Sequence, residues 1–167
     1  MAGTRWLDER EMAAWLGFLE ATSRVSRHVE HQLKDDAGLS HAQYEILVKL
    51  ATAPEGEVRM TDLAHGLFTS KSGLTYQVGQ LEKRGLVERR SCPFDDRGVL
   101  AVLTTEGRDT LRAAAPGHVE AVRSALIDVL DREELDVVAR ALGRVGARLR
   151  PADHSAGPAP HAPAPGS

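Results

Sequence analysis

Aromatic side chains are scarce in this chain, 4% of 167 residues, while hydrophobic residues make up 42%. A core built under that limit is aliphatic and alanine-rich, which suits helix packed on helix. A single cysteine, Cys92, excludes an intrachain disulfide and fits the reducing cytoplasm. No apolar run approaches the ~20 residues needed to cross a bilayer, so no membrane partner is expected. The opening residues MAGTRWLDER carry no signal-peptide stretch. Neither a nucleophile–base–orienter set, a phosphate loop nor a metal-ligating cluster is present, so no enzyme, cofactor or metal is expected. A basic excess is missing too: 21 Lys and Arg stand against 24 Asp and Glu, a net charge of −3. The length allows a sizeable core but is short for two independent domains.

The charge is unevenly spread. Across residues 69–97, Lys71, Lys83, Arg84, Arg89, Arg90 and Arg97 face Glu82, Glu88, Asp95 and Asp96, a local surplus of two that leaves −5 elsewhere. Such asymmetry turns one side of a molecule toward phosphate.

Residues 61–104 hold the most patterned stretch, read as a short helix, a turn, a second helix, a strand, a charged turn and a return strand. Leu63, Ala64 and Leu67 supply the buried side of the first helix, with Gly66 in its last turn. Thr69 and Ser70 can accept the free N–H groups that open the second helix. Leu74, Val78 and Leu81 then recur at i, i+4 and i+7, one apolar face. The opposite face presents Ser72, Tyr76, Gln80 and Lys83, with Thr75 at its edge and no carboxylate that phosphate would repel. That is a helix suited to a DNA major groove. Gly85 ends it, and Leu86–Val87 begin a strand that continues into Arg89 and Arg90. These two arginines alternate across the strand, so one of them faces phosphate fully. Pro93 to Gly98 form the turn before a return strand from Val99 to Thr104, which puts Arg97 at a hairpin tip suited to a minor groove. Asp95 is placed to hold that guanidinium rather than to touch DNA.

The residues Leu63-Ala64, Ser70-Lys71-Ser72, Leu74-Thr75, Val78, Leu81-Glu82, Gly85-Leu86-Val87 and Asp95-Asp96-Arg97-Gly98-Val99-Leu100-Ala101-Val102-Leu103-Thr104 resemble the multiple-antibiotic-resistance regulator (MarR) family. The last run follows that family's wing signature, D-x-R-x-x-x-V-x-L-T, apart from Ala101 where the family has Val. The resemblance extends over roughly residues 8–150. It implies a mainly α fold, a winged helix-turn-helix (40–104) embedded in an all-helical dimerisation region (8–38 and 105–150). It also implies a homodimeric, ligand-responsive repressor of transcription that binds double-stranded DNA at a palindromic operator. On this reading Ser70, Lys71, Ser72, Thr75, Tyr76, Gln80, Lys83, Arg89, Arg90 and Arg97 meet DNA, and Asp95 steadies the wing. Many relatives carry a basic residue where Tyr76 stands and a larger one where Gly73 stands, so the operator sequence does not carry over. The rival class is a winged-helix module that binds protein through the same face.

The flanks read as helices. Asp8 with Glu11, Ser40 with Gln43 and Asp131 with Glu134 are spaced as capping boxes. Met12, Trp15, Leu16, Leu19, Thr22, Val25, Val29 and Leu33 trace an apolar stripe along a first helix that ends near Gly38. Tyr44, Leu47, Leu50 and Ala51 form the buried side of the next; Pro54-Glu55-Gly56 is a turn, and Val58 to Met60 a short strand beside the wing. Leu111, Ala115, Val119, Val122, Leu126 and Val129 supply the stripe of a long helix that Pro116-Gly117 should bend or split. Leu135, Val138, Leu142, Val145 and Leu149 line a last helix, expected to pack on the first helix, partly from a second subunit. Residues 151–167 are rich in Pro, Ala and Gly and are expected to be disordered.

Several residues admit two readings. Tyr76 can enter the groove or stack on a sugar edge. His28 and His31, three apart, could pair on a metal, but without a third ligand at proper spacing they read as surface or interface histidines. Cys92 fills a strand position, or is a thiol made reactive by Arg89 and Arg90. Trp15, Phe18, Tyr44 and Phe68 either pack the core or line a cavity for a small aromatic or phenolic effector. No ligand residue is singled out.

Overall fold

The computed structural model describes residues 3–67, 70–92 and 95–149. The Phe68 and Thr69 readings and the tail 151–167 lie outside these residues. The chain divides into two units at Leu130, and each is described by itself.

Helix α1 (Glu9–Ala37) opens on the expected capping box: Glu11 N–H donates to Asp8 Oδ1 at 2.8 Å, and Asp8 N–H to Glu11 Oε2 at 3.0 Å. Only the C-terminal half of its stripe is covered. Val29 and Leu33 are buried and Val25 packs against the core, whereas Met12, Trp15, Leu16, Phe18 and Leu19 stand exposed. Gly38, in the left-handed region at φ 62°, ends the helix. Helix α2 (His41–Thr52) starts from the Ser40–Gln43 box and buries Tyr44, Ile46, Leu47 and Leu50. A 3-10 turn at Pro54–Gly56 leads into strand β1 (Glu57–Arg59). Helices α3 (Met60–Gly66) and α4 (Lys71–Lys83) follow, then strands β2 (Val87–Cys92) and β3 (Asp95–Leu103). The antiparallel sheet has the order β1-β3-β2. One aliphatic core unites these parts: Leu33, Leu39, Ile46, Leu47, Leu50, Leu63, Leu74, Val78, Leu81 and Val87 are almost wholly excluded from solvent. Each such side chain contributes on the order of 1.5–3 kcal/mol by leaving water.

The return strand is longer than the sequence suggested. Cys92 pairs with Asp95 and Ser91 with Val99, so the register slips between Ser91 and Cys92. Asp96, Arg97 and Gly98 are thus extra residues on β3, a bulge that bends the wing within the strand rather than a free turn.

Helix α5 (Thr105–Val122) also departs from expectation. It runs through Pro116 without a split. Pro116 is exposed, so the Arg112 carbonyl it leaves unpaired can be hydrated. The interruption comes later, as a π-helical turn at Arg123–Ile127. The expected stripe holds in part: Leu111 and Val122 pack against the core, whereas Val119 and Val129 are exposed. The most deeply buried positions are Gly107, Ala114 and Ala121, seven residues apart. Small residues at that spacing let α5 approach its neighbours closely. At Gly107 the approach is extreme, because a Cβ there would sit 2.1 Å from the Leu86 carbonyl oxygen.

In the second unit, helix α6 (Arg132–Leu149) starts from the Asp131–Glu134 box, with both bonds at 2.9 Å. No residue of α6 is buried, and Val137, Leu142, Val145 and Leu149 stand exposed.

Candidate nucleic-acid interface

Helix α4 is set by its two ends and one stripe. Ser70 is the N-cap, its hydroxyl accepting the Gly73 N–H at 3.1 Å while lying 3.2 Å from the Ser72 hydroxyl. At the other end Gly85 takes φ 72°, with Gly85 N–H bonded to Glu82 O and Leu86 N–H to Leu81 O. A side chain would resist that left-handed turn. Leu74, Val78 and Leu81 anchor the inner face, which leaves Ser72, Tyr76 and Lys83 pointing away from the core. Tyr76 is 63% exposed, and Lys71, Ser72, Thr75 and Lys83 are exposed beside it. Gln80 is half-buried. The Thr75 hydroxyl donates to Lys71 O at 2.8 Å, so it keeps its lone pairs for an outside donor.

The arginines sit differently from what charge counting suggested. Arg89 is held by Glu82: its Nε and Nη2 donate to Glu82 Oε2 at 2.9 and 2.5 Å, and its backbone N–H to Oε1 at 3.3 Å. The guanidinium holds the Glu82 carboxyl below the usual carboxylate range, and the carboxylate raises Arg89 in return. Arg90 shares the opposite strand face with Glu88 and donates to its Oε2 at 2.9 Å. Arg84 leaves the α4 face altogether and donates to Gly38 O and Ala37 O at the end of α1. Charge counting missed the Arg89 and Arg84 pairings because partners 7 and 46 residues away carry no local spacing signal. Among the described residues, Lys71 and Lys83 enter no ion pair and are the cations that α4 offers to solvent. Asp95 and Arg97 lie on β3 at the bulge, and their side chains fall outside the described residues.

The other candidates resolve simply. His31 Nδ1 lies 3.4 Å from Asp35 Oδ2 on an exposed surface, and among the described residues no group of three metal-ligating side chains converges. Cys92 is buried on β2. Trp15 and Phe18 stack at 6.2 Å on the exposed half of α1. Tyr44 is a core residue whose ring lies 4.3 Å from that of His118, and burial raises its phenol.

A small bulged sheet beside a helix with a polar outer face has close counterparts. The MarR family profile matches residues 37–98. The repressor YetL of Bacillus subtilis is 29% identical over 143 residues, covering 86% of this chain and 84% of its own. Sco3205 of Streptomyces coelicolor, a MarR family transcriptional regulator crystallised in complex with DNA, superimposes with a TM-score of 0.88 at 40% identity, over 92% of this chain and 96% of that one. AbsC from the same organism gives 0.84 at 40% identity, over 88% and 99%. A likeness of that extent, running through the helical flanks as well as the wing, makes this chain a member of the MarR family of transcriptional regulators.

Proposed function

We propose that the chain represses transcription as a cytoplasmic homodimer that reads a palindromic operator in double-stranded DNA. The observation that carries this is the outer face of α4, where Lys71, Ser72, Thr75, Tyr76 and Lys83 are exposed next to the wing. Hydroxyls, a phenol and two ammonium groups suit base edges and phosphate together. Ser70 and Gln80 border that face, Arg90 approaches the backbone from β2, and Arg97 reaches the flanking minor groove with Asp95 steadying it. Arg89 meets phosphate only by leaving Glu82.

Dimerisation is supported by two unpartnered apolar ladders, one on α1 around Trp15 and Leu16 and one on α6 around Leu142 and Val145. Exposure of that extent on a helix calls for a covering surface. A twofold dimer would set two α4 helices about 34 Å apart, one turn of DNA. Among the described residues no helix is long and apolar enough to cross a membrane. As the place for a small aromatic or phenolic effector the reading takes the open pocket lined by Arg24, Val25, His28, Ser124 and Ala125, where such an acid would alter the spacing of the DNA-reading lobes and release the operator.

The test is a competition shift assay on the DNA upstream of the chain's own gene, paired with sedimentation of the free protein. A dimer that binds a palindrome at moderate salt is expected. A monomer, or binding indifferent to the palindrome, overturns the reading and favours the protein-binding module.

A further inference from the structure

The last turn of α4 is tied on both sides. Toward the wing, Glu82 holds Arg89 of β2. Toward the first helix, Arg84 Nη1 donates to Gly38 O at 2.8 Å and Nη2 to Ala37 O at 3.1 Å. Those two carbonyls belong to the end of α1. The Gly38 N–H is already returned to Leu33 O and Lys34 O, so the turn is closed and its last oxygens point outward without a helical partner. They also carry the negative end of the helix dipole, which a cation suits. A guanidinium presents two N–H groups in a fixed fork, so it can serve both carbonyls at once where an ammonium cannot hold the same orientation.

We propose that Arg84 is a positioning residue, not a phosphate contact: it fixes the recognition helix to the end of α1 and thereby sets which half-site spacing the dimer accepts. This rests on the operator-binding reading above. Arg84 is exposed, so its bonds add little to overall stability. Their value is directional. Helix α1 has 29 residues, and its far half carries the apolar ladder that a second copy would cover. Arg84 therefore joins the DNA-reading helix to the same rod that would meet the partner. A tilt of about 10° acting over about 20 Å displaces a helix by about 3.5 Å, close to the rise of one base pair. Loosening this tie should blur spacing more than it weakens binding to either half-site.

The experiment uses the full chain. Duplexes are selected from a randomised library with the wild type. Wild type, Arg84→Ala and Arg84→Lys are then compared on the selected palindrome with its half-sites at the native spacing, one base pair closer and one base pair further apart. Arg84→Ala is expected to lose roughly tenfold at the native spacing and much less at the altered ones, with the salt slope unchanged. Arg84→Lys is expected to behave like the alanine variant, and all three proteins should melt together. An equal loss at every spacing, a salt slope shallower by about one unit, full rescue by lysine or a large fall in melting temperature each overturns the positioning role. A wild type that selects no palindrome brings down the operator-binding reading itself. Selection by the wild type with Arg84→Ala indistinguishable from it removes Arg84 alone.

Discussion

Glu82 Oε2 accepts two hydrogen bonds from the Arg89 guanidinium, at 2.9 and 2.5 Å, and so joins the last turn of α4 to the first wing strand. The pair neutralises one of the cations of β2. It also makes the angle between recognition helix and wing a matter of side-chain geometry as well as of core packing.

Replacing Glu82 by Gln should release Arg89. Binding to random duplex is expected to strengthen, with a salt slope steeper by about one unit, read from affinities at several salt concentrations. The same variant checks the pH dependence. The native carboxyl titrates below its ordinary value near 4.5, so its stabilising contribution is complete above that pH and is lost as pH falls through the depressed native value. Unfolding curves of wild type and Glu82→Gln should therefore differ at pH 6 and converge in strong acid.

His118 predicts a second pH effect. Its ring lies between Tyr44 and His41, and its buried Nδ1 has no hydrogen-bond partner. Burial first, then the neighbouring His41, pushes its pKa below the ordinary 6.5, with Glu45 pulling the other way. The unfolded chain takes up this proton more readily than the folded one, so stability is full above about pH 6.5 and declines as pH falls toward the lowered native value. Thermal melts at pH 7.5 and 5.5 should show a larger drop for wild type than for His118→Gln.

On the α4 face, Tyr76 and Lys83 should separate reading from holding. Tyr76→Ala removes no buried contact, so stability should change by less than about 0.5 kcal/mol. Discrimination between the operator and a one-base variant should shrink by about 1–3 kcal/mol. Lys83→Ala should weaken all duplexes alike and lower the salt slope by about one. Quantitative shift assays on matched and mismatched duplexes distinguish the two patterns.

At Gly107 the prediction concerns folding. A methyl group would collide with the Leu86 carbonyl and with Leu103 Cδ1 at 2.8 Å, and main chain on one side leaves little to yield. Gly107→Ala should cost about 1–3 kcal/mol or more, measured by urea unfolding.

How far the sequence could be read depends on the range of each interaction. Capping boxes at Asp8, Ser40 and Asp131 span three residues, and the Leu74–Val78–Leu81 stripe two turns, so both follow from local geometry. The outer residues of α4 follow from that stripe by rotation. The arginines did not: Arg84 and Arg89 look alike beside Lys83 and Arg90 in a linear string, and only the fold brings Gly38 and Glu82 to them. The α5 stripe was legible at Leu111 and Val122, which pack on the core, but not at Val119 and Val129, which face solvent. The Gly107, Ala114, Ala121 repeat was visible, but it gains meaning only from a neighbour that comes close. Pro116 misled for a related reason, since its cost depends on whether water reaches the carbonyl it strands.

The π-helical turn at Arg123–Ile127, closed by Asp128 N–H on Arg123 O at 2.9 Å, holds one amino acid more than a regular turn requires. That surplus resets the phase of the chain. Ala114 and Ala121 before it are buried, and Leu126 and Ile127 within it are half-buried. A gene shortened by one codon here would restore the regular winding and turn every residue after it by about 100° around the helix axis.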